Sequence, residues 1–401
     1  MTWSAGKWWR RASAAMKDKR SVYLCRVAAS GQRAEIEAAV IRATSHDERS
    51  IDYKNAARVF AWARTSSSCL APLMRALAWR ASRTRSWAVA LKTLLLFHGV
   101  LICSSSANRL GRLPFDLSDF RDCSACPSTS HGFSSFVRAY FQFLDHRSIF
   151  LSSAISQFDN NDSSSSSKLL PPVSSYPQLD MLVKLQDLLE LLMQIQPYAD
   201  GMEVGLILEA MDCVIIEIFE IYSEICSGIA GFLADALGPN SSPCPTSTPS
   251  KTKTGFTAEE WRRAGLAGMR ILRRAVEQSK QLSSYFRLCR SLGVLNAAVI
   301  PPIQTIPEDG IKDLEDLVLG EAPVITKNYC KDEVEKRSRA RVDKGSEIVV
   351  SEEWEVFEDE MSTPPWNSNE NPFFCLEDGY KYALARQSCR PATGGNLIEL
   401  I

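Results

Sequence analysis

Apolar side chains recur at intervals of three and four residues along most of this chain, and that periodicity is the strongest constraint on its fold. A clear example is the leucine series Leu182, Leu185, Leu188, Leu189 and Leu192, which places its members on one face of a helix. Alternation of polar and apolar residues between turn signals, the pattern typical of strands, is nearly absent. The sequence therefore predicts an all-α fold.

The chain is long enough for one large core with appendages, since 45% of its 401 residues are hydrophobic. The segment 202–236 carries a series of acids that the helical spacing groups on one side, and this side is predicted to face solvent. The acids are Glu209, Asp212, Glu217, Glu220 and Glu224. The other periodic segments predict helices over 34–45, 54–64, 70–81, 86–103, 133–157, 258–292 and 311–319.

The most apolar run is "WAVALKTLLLFHGVLIC", residues 87–103. It contains Lys92 and His98, and it is shorter than the roughly 20 apolar residues that a membrane-spanning helix needs. A buried central helix of a helical bundle is the interpretation that this run favours.

Two segments rich in serine and proline, 158–177 and 238–255, interrupt the helical pattern and are predicted to be flexible insertions. Beyond about residue 320 the chain becomes charged, aperiodic and poor in aliphatic residues. We therefore predict a helical domain over 7–320 and a disordered tail over 321–401.

Known signatures of catalysis are missing from the sequence: it contains no GxSxG, HExxH, Walker or GxGxxG pattern. The four histidines have no neighbouring nucleophile or metal ligand, and Cys123 with Cys126 forms a single CxxC without a second pair. We expect a binding protein that is not an enzyme and that holds no cofactor or metal. The scattered cysteines fit a reducing, cytosolic compartment.

The charge is unevenly distributed although the formal net charge is only −1, a balance that argues against a nucleic-acid-binding chain. Within "GKWWRRASAAMKDKRS" a helix would group Trp8, Ala12, Ala15 and Met16 on one face, with cations around them. Such a helix can lie in the headgroup layer of an anionic membrane. It can equally be the first helix of the bundle with its tryptophans packed inward, and the sequence leaves both interpretations open.

Five sequence blocks in order carry a resemblance to a known family. They are "EAAVIRATSHDERSIDYKNAARVFAWA" (37–63), "RTRSWAVALKTLLLFHGVL" (83–101), "RLPFDLSDF" (112–120), "FVRAYFQFLDHRS" (136–148) and "LILEAMDCVIIEIFEIYSEIC" (206–226). Together they resemble the ANTH domain of plant clathrin assembly proteins, over roughly residues 7–320. The resemblance implies an α-helical solenoid that binds phosphatidylinositol 4,5-bisphosphate through exposed basic side chains.

The family's lipid motif is a lysine, nine residues, and then a basic residue followed by His or Tyr. On this chain the first position is Arg42 and the aromatic position is Tyr53, but the second basic position is occupied by Asp52, one residue before Tyr53 and two before Lys54. An aspartate there repels phosphate, and a solvated helix face is the alternative interpretation of these cations. The residues predicted to bind phosphoinositide are Lys17, Arg42, His46, Arg49, Tyr53, Lys54 and Arg58.

The tail contains short patterns that resemble the motifs by which such proteins recruit coat machinery. "WEVFEDE" resembles a motif that docks on adaptor-complex appendage domains, through Trp354 and Phe357 with the acids Glu358 and Asp359. A short amphipathic helix folded back on the domain is the alternative. The EH-domain tripeptide matches Asn371, Pro372 and Phe373, and a clathrin-box-like terminus contains Leu397, Ile398 and Leu400.

The resemblance thus implies a peripheral membrane adaptor that binds phosphoinositide membranes, clathrin, appendage domains and EH-domain proteins at coated pits and vesicles, at the plasma membrane and the Golgi. The alternative is a helical scaffold that binds a protein such as a SNARE and has little lipid affinity. Asp52 is the residue that favours this alternative.

Overall fold

The computed structural model describes residues 2–28, 31–124, 127–163, 177–198, 200–237 and 258–299, and the elements within these ranges are helical. A short 3-10 helix, Ala107–Arg109, follows the fifth α-helix. The ten α-helices of the described ranges are α1 Thr2–Ala28, α2 Gln32–Ala43, α3 Tyr53–Thr65, α4 Ser67–Arg83, α5 Trp87–Cys103, α6 Pro127–Ser163, α7 Pro177–Met193, α8 Gly205–Leu237, α9 Ala258–Ser291 and α10 Leu295–Val299. The prediction of an all-α fold is confirmed.

Helix α5 is the centre of the bundle, because 15 of its 17 residues are buried and it packs against α3, α4, α6 and α8. The approach of α3 is very close at Gly99, where an added Cβ would lie 2.5 Å from the ring of Phe60. The interpretation of this apolar run as a buried central helix is confirmed. Among the described residues, no helix combines the length and the apolar character needed to cross a membrane.

Helices α7, α8 and α9 form the other end of the described bundle. Two buried glutamines join α7 to α9: the side chain of Gln186 donates to the carbonyl of Ile271 at 2.9 Å, and that of Gln278 donates to the carbonyl of Gln186 at 2.9 Å. Leu188 and Leu189 are buried beside them. The two leucines of "QDLLE" are therefore part of the core, whereas Asp187 is exposed.

The predicted insertion 158–177 needs correction at both ends. Helix α6 continues through residues 158–163, and α7 begins at Pro177. Adding residues to an existing helix costs much less free energy than starting one, so a long helix can extend into a polar sequence that would not form a helix alone. Residues 164–176, the second insertion, the segment 311–319 and the tail lie outside the described residues.

The acidic side of α8 was predicted to face solvent, and this prediction is wrong for Glu217, which is 1% exposed. Its carboxylate lies 2.6 Å from Nε of Arg147 and 3.4 Å from Nε2 of His98. The other imidazole nitrogen of His98 lies 2.8 Å from the hydroxyl of Tyr140. Burial of Glu217 is possible because these partners from α5 and α6 compensate its charge.

Candidate functional site

The predicted lipid-binding residues cluster around residues 44–52, the α2–α3 connection, which the rest of the bundle holds in place. Arg80 of α4 is buried and donates from Nε to the Thr44 hydroxyl at 3.0 Å and from Nη2 to the Thr44 carbonyl at 2.7 Å. The Thr44 hydroxyl in turn donates to the carbonyl of Val40. The end of α2 is thereby fixed to α4.

Lys92 of α5 supports the same connection from below. Its ammonium is buried and donates to the carbonyl of Asp47 at 2.5 Å and to the hydroxyl of Ser45 at 3.3 Å. Burial lowers the pKa of Lys92 to about 8, although nearby carboxylates such as Asp47 favour the charged form. Because the two acceptors lie on either side of His46, one lysine determines the path of this turn.

Helix α8 closes the connection on its other side. At Gly205 an added Cβ would lie 2.8 Å from the carbonyl oxygen of Arg49, so only glycine permits this approach. The Tyr53 hydroxyl donates to a carboxylate oxygen of Glu209 at 2.6 Å. Burial, followed by this hydrogen bond, raises the pKa of Tyr53 well above its usual value. Tyr53 therefore serves as a link between α3 and α8.

Asp52, the residue that departs from the lipid motif, is the N-cap of α3. One carboxylate oxygen accepts a hydrogen bond from the backbone N–H of Asn55 at 3.1 Å, and the other accepts one from its side-chain amide at 2.6 Å. Aspartate is among the preferred residues for this position because it satisfies an unpaired N–H and offsets the positive end of the helix dipole. The departure thus has a structural explanation.

His46 is also engaged within the chain. Its ring Nδ1 lies 2.8 Å from one oxygen of Asp18, and its backbone N–H donates to the other oxygen at 2.9 Å. The first of these oxygens also accepts from Nη2 of Arg80 at 2.8 Å. Burial alone would raise the pKa of Asp18, but His46 and Arg80 together lower it. This contact attaches α1 to the α2–α3 connection.

Four of the seven predicted residues make no ion pair with another residue of the described ranges: Lys17, Arg42, Arg49 and Lys54. Arg42 is half-buried, whereas the other three are exposed. Arg58 is different, because it lies 3.5 Å from Glu35 and over the ring of Trp62. The structure thus brings four uncompensated cations to one end of the α2–α3 pair.

Helix α1, which carries Lys17, also exposes a row of large apolar side chains, which we call the apolar stripe of α1: Met16, Tyr23, Leu24 and Val27. Their exposed fractions are 63%, 67%, 51% and 69%. At 100° per residue these positions fall on one side of the helix, opposite the buried Cys25. The sequence interpretation had grouped Met16 with Trp8, Ala12 and Ala15; of these, only Ala15 has a described side chain, and it is exposed.

A separate open cavity of about 710 Å³ lies beside α6 and contains none of the predicted site residues. Several of its polar groups already have partners. Asp145 accepts a hydrogen bond from the N–H of Leu113 at 3.0 Å, and Arg138 donates to the carbonyl of Phe120 and to Ser135.

No group of three potential metal ligands occurs among the residues that the structure describes.

Comparison with known proteins identifies the family of this chain. The ANTH domain family model matches residues 35–243 and 261–319. The chain belongs to the ANTH-domain family. Two Arabidopsis thaliana relatives, named "Putative clathrin assembly protein At1g25240" and "Putative clathrin assembly protein At1g68110", are 41% and 38% identical to it, over 88% of this chain and 88% of their own lengths in each case. Among solved structures, the ENTH domain from epsin-2 in complex with phosphatidylinositol 4,5-bisphosphate matches with a TM-score of 0.42 and 18% identity, over 70% of this chain and 99% of that domain.

Sequence reasoning missed the residues that position the site, namely Asp18, Arg80 and Lys92. A signal was available for two of them, since Arg80 and Lys92 are isolated cations within otherwise apolar helical faces. Such residues are commonly buried with a specific partner. The tail motifs around Trp354, Phe373 and Leu397 lie outside the described residues and remain predictions.

Proposed function

We propose that this ANTH-family chain is a clathrin-coat adaptor that attaches to the cytosolic face of membranes by binding phosphatidylinositol 4,5-bisphosphate. In this proposal Lys17, Arg42, Arg49 and Lys54 contact the phosphate groups of the lipid. The chain acts by binding alone and catalyses no reaction.

The observation that carries the proposal is the set of four uncompensated cations on and around a connection that the bundle holds in place. A cation without an intramolecular partner loses no ion pair when it binds a phosphate, and a fixed backbone loses little entropy. Each cation close to an anionic bilayer contributes about 1 kcal/mol of binding free energy. The apolar stripe lies on the same helix as Lys17 and adds contact with the lipid headgroup layer.

Sedimentation with phosphatidylcholine vesicles, with and without the bisphosphorylated lipid, tests the proposal. We expect salt-sensitive pelleting that depends on the lipid and that weakens at least about tenfold in the double variant Arg42→Glu, Lys54→Glu. The matched control is Arg121→Glu, Lys184→Glu, which reverses two exposed charges elsewhere and should bind nearly as the unmodified chain does. Equal binding by both double variants would contradict the proposed site.

The tail supplies the second half of the proposed function, which is recruitment of coat proteins. Trp354 and Phe357 would dock on appendage domains of adaptor complexes, and Asn371, Pro372 and Phe373 on EH domains. Leu397, Ile398 and Leu400 would contact clathrin. Several weak motifs on one tail gain strength through multivalency once many copies gather on a coat.

Recruitment is tested by capture of purified appendage domains, EH domains and clathrin terminal domain on the full chain. The double variant Trp354→Ala, Phe357→Ala should abolish appendage capture alone, and Phe373→Ala should abolish EH capture alone. If neither variant loses its interaction, the tail motifs are not the docking sites. The proposed lipid binding would not be affected by that result. Fluorescent full-length chain should collect in coated pits at the plasma membrane, with Golgi labelling as the second expected location.

One observation favours a second candidate, a helical scaffold for a SNARE or another protein with little affinity for lipid. Asp52 places a carboxylate where the family's lipid motif has a cation, and the Tyr53 hydroxyl is already bonded to Glu209. Absence of pelleting under low-salt conditions, together with capture of a SNARE helix by the same preparation, would support the scaffold.

A further inference from the structure

The contact between α1 and the α2–α3 connection has the chemistry of an occupied anion site. Arg80 and His46 supply a guanidinium nitrogen, a ring nitrogen and a backbone N–H, and all three contact the carboxylate of Asp18 at 2.8 to 2.9 Å. We call these groups the His46–Arg80 site. The anion that fills it comes from a different helix of the same chain.

The His46–Arg80 site is held by the bundle without help from Asp18. Two bonds from Arg80 to Thr44 fix the guanidinium, and the bonds of Lys92 to Ser45 and Asp47 fix the backbone on either side of His46. The donors therefore stay in position if the carboxylate leaves. A buried guanidinium without a counter-ion is costly, so departure of Asp18 becomes favourable only when another anion replaces it.

Over the part of α1 whose side chains the structure describes, Ser13 and residues 15–27, little apolar surface is buried that would resist departure of the helix. Among its side chains that the structure describes, Cys25 alone is buried, at 8% exposure. The Cys25 thiol donates to a carboxylate oxygen of Glu37 at 3.1 Å. The four residues of the apolar stripe face solvent, and Asp18 itself is 16% exposed, so the His46–Arg80 site lies close to the surface.

We propose that the His46–Arg80 site binds a phosphate group, that Asp18 occupies it in the free chain, and that the incoming phosphate displaces Asp18 and releases α1. A phosphate monoester suits the site because it offers three acceptor oxygens and about two negative charges, against the single charge of a carboxylate. Its source is an inositol lipid headgroup or a soluble inositol phosphate. The inference rests on the proposed phosphoinositide binding and adds a site and a regulatory step to it.

The apolar stripe already faces solvent, so the effect of release is on the helix that carries it: a detached α1 can reorient and place the stripe in the headgroup layer beside the lipid that caused the release. A chain whose site is occupied by Asp18 cannot bind phosphate there. The apparent affinity for phosphate is therefore the intrinsic affinity multiplied by the fraction of chains in which the site is open. Removing the Asp18 charge should therefore strengthen vesicle binding, which is the opposite of the effect expected for a residue that merely stabilises the fold.

The test is residue-resolved alkylation of Cys25 in the full chain, measured by mass spectrometry of its peptide. In the free chain Cys25 should react slowly, because burial, followed by the hydrogen bond to Glu37, raises its pKa to about 12. Vesicles that contain phosphatidylinositol 4,5-bisphosphate should accelerate the reaction about tenfold or more. If soluble inositol trisphosphate also accelerates the reaction, the phosphate groups are sufficient for release. If only vesicles accelerate it, the lipid headgroup at a membrane surface is the source of the phosphate. Both results support the proposal.

Variants then separate α1 release from other effects. Asp18→Asn should accelerate Cys25 alkylation without any anion and strengthen vesicle binding about 3- to 10-fold, whereas Asp18→Glu, which keeps the carboxylate, should stay close to the unmodified chain. Asp180→Asn removes an exposed charge from α7 and should change neither measurement. The fully buried Cys289 of α9 reports global unfolding and should stay unreactive in every variant.

Two results would overturn the proposal. If the chain pellets with vesicles while Cys25 reactivity and Asp18→Asn binding stay unchanged, α1 is not displaced, and the proposed lipid binding stands without it. If neither the unmodified chain nor Asp18→Asn binds vesicles or inositol trisphosphate, both the site and the proposed lipid binding are wrong.

Discussion

Two carboxylates in this molecule are each held by one arginine and one histidine, and the two clusters differ mainly in burial. Glu217 contacts Arg147 and His98 in the centre of the bundle, where its side chain is 2% exposed. Asp18 contacts Arg80 and His46 near the surface, where its side chain is 16% exposed. The same chemistry thus occurs once in a sealed environment and once within reach of solvent.

The comparison shows how burial decides what an ion-paired carboxylate can do. Around Glu217 no competing anion can enter, and separating the charges would leave them desolvated and unpaired. At the other cluster the side chains of Asp18 and His46 are 16% and 20% exposed, so a competing anion can approach the pair although Arg80 is buried. We therefore interpret the Glu217 cluster as structural and the Asp18 cluster as exchangeable, and the predictions below are arranged to test that difference.

The largest expected effect is on the free energy of unfolding when Glu217 is neutralised. Glu217→Gln removes the charge that compensates Arg147 in the centre of the bundle, where the Glu217 side chain is 2% exposed, and should destabilise the fold by about 3–5 kcal/mol. Asp18→Asn should cost less, about 1–3 kcal/mol, because Asp18 itself is partly exposed and Thr44 still accepts two hydrogen bonds from Arg80. Urea denaturation of the three chains measures both values, and equal losses would contradict the distinction between the clusters.

The second prediction concerns the dependence of stability on pH. Burial alone would raise the pKa of Glu217, but the charge of Arg147 and the hydrogen bond with His98 lower it to about 2. A carboxyl whose pKa is lower in the folded state stabilises the fold above its unfolded pKa, and that contribution disappears as pH falls through the folded value. The stability difference between the unmodified chain and Glu217→Gln should therefore shrink as pH falls below about 4.5 toward about 2. A separate change is expected near neutral pH, because burial and then the charge of Glu217 raise the pKa of Glu220 to about 7. A difference that does not change with pH would show that Glu217 is not ionised in the folded chain.

A smaller effect is expected where α8 touches the α2–α3 connection. Gly205→Ala would press a methyl group against the carbonyl of Arg49 and should cost about 1–3 kcal/mol while weakening vesicle binding. The matched control in the same helix is Gly231→Ala, which has no atom within 4 Å of the new Cβ and should stabilise by about 0.5–1 kcal/mol. Thermal unfolding and sedimentation together measure this, and unchanged lipid binding by Gly205→Ala would argue that the position of the connection is unimportant.

The smallest effect is expected at Asp52. Asparagine caps a helix as well as aspartate does, so Asp52→Asn should leave stability unchanged while vesicle affinity rises about fivefold through loss of one negative charge. Asp52→Ala loses the same charge and also the cap, and should cost about 1 kcal/mol of stability. If Asp52→Asn binds vesicles no more tightly, the carboxylate does not weaken the proposed lipid contact.

The helices could be predicted from the sequence because their burial follows a short-range pattern. The run around Lys92 is continuous and apolar, and it forms the central helix as predicted. The end of α6 could not be located in the same way, because the polar residues 158–163 carry no periodic signal and are helical through continuation of a long helix.

The candidate site was only partly predictable, for reasons of sequence distance. The basic residues Arg42 and Lys54 lie in one motif, so the resemblance pointed to them directly. His98 and Glu217 are 119 positions apart in the sequence, and Arg80 and Asp18 are 62 positions apart. No local sequence pattern predicts contacts between residues so far apart. Asp52 was first interpreted only as a charge unfavourable to phosphate, although an aspartate directly before a helix is a common capping signal.

The burial of Lys92 has a consequence for experiments at different ionic strengths. Mobile ions weaken attraction between solvated charges over distances of about 10 Å, but they cannot enter the space between its ammonium and the carbonyl of Asp47. Concentrated electrolyte should therefore strip the molecule from a charged surface while the turn that carries the exposed cations keeps its shape. Detachment of this kind is reversed when the salt is diluted, without any refolding step.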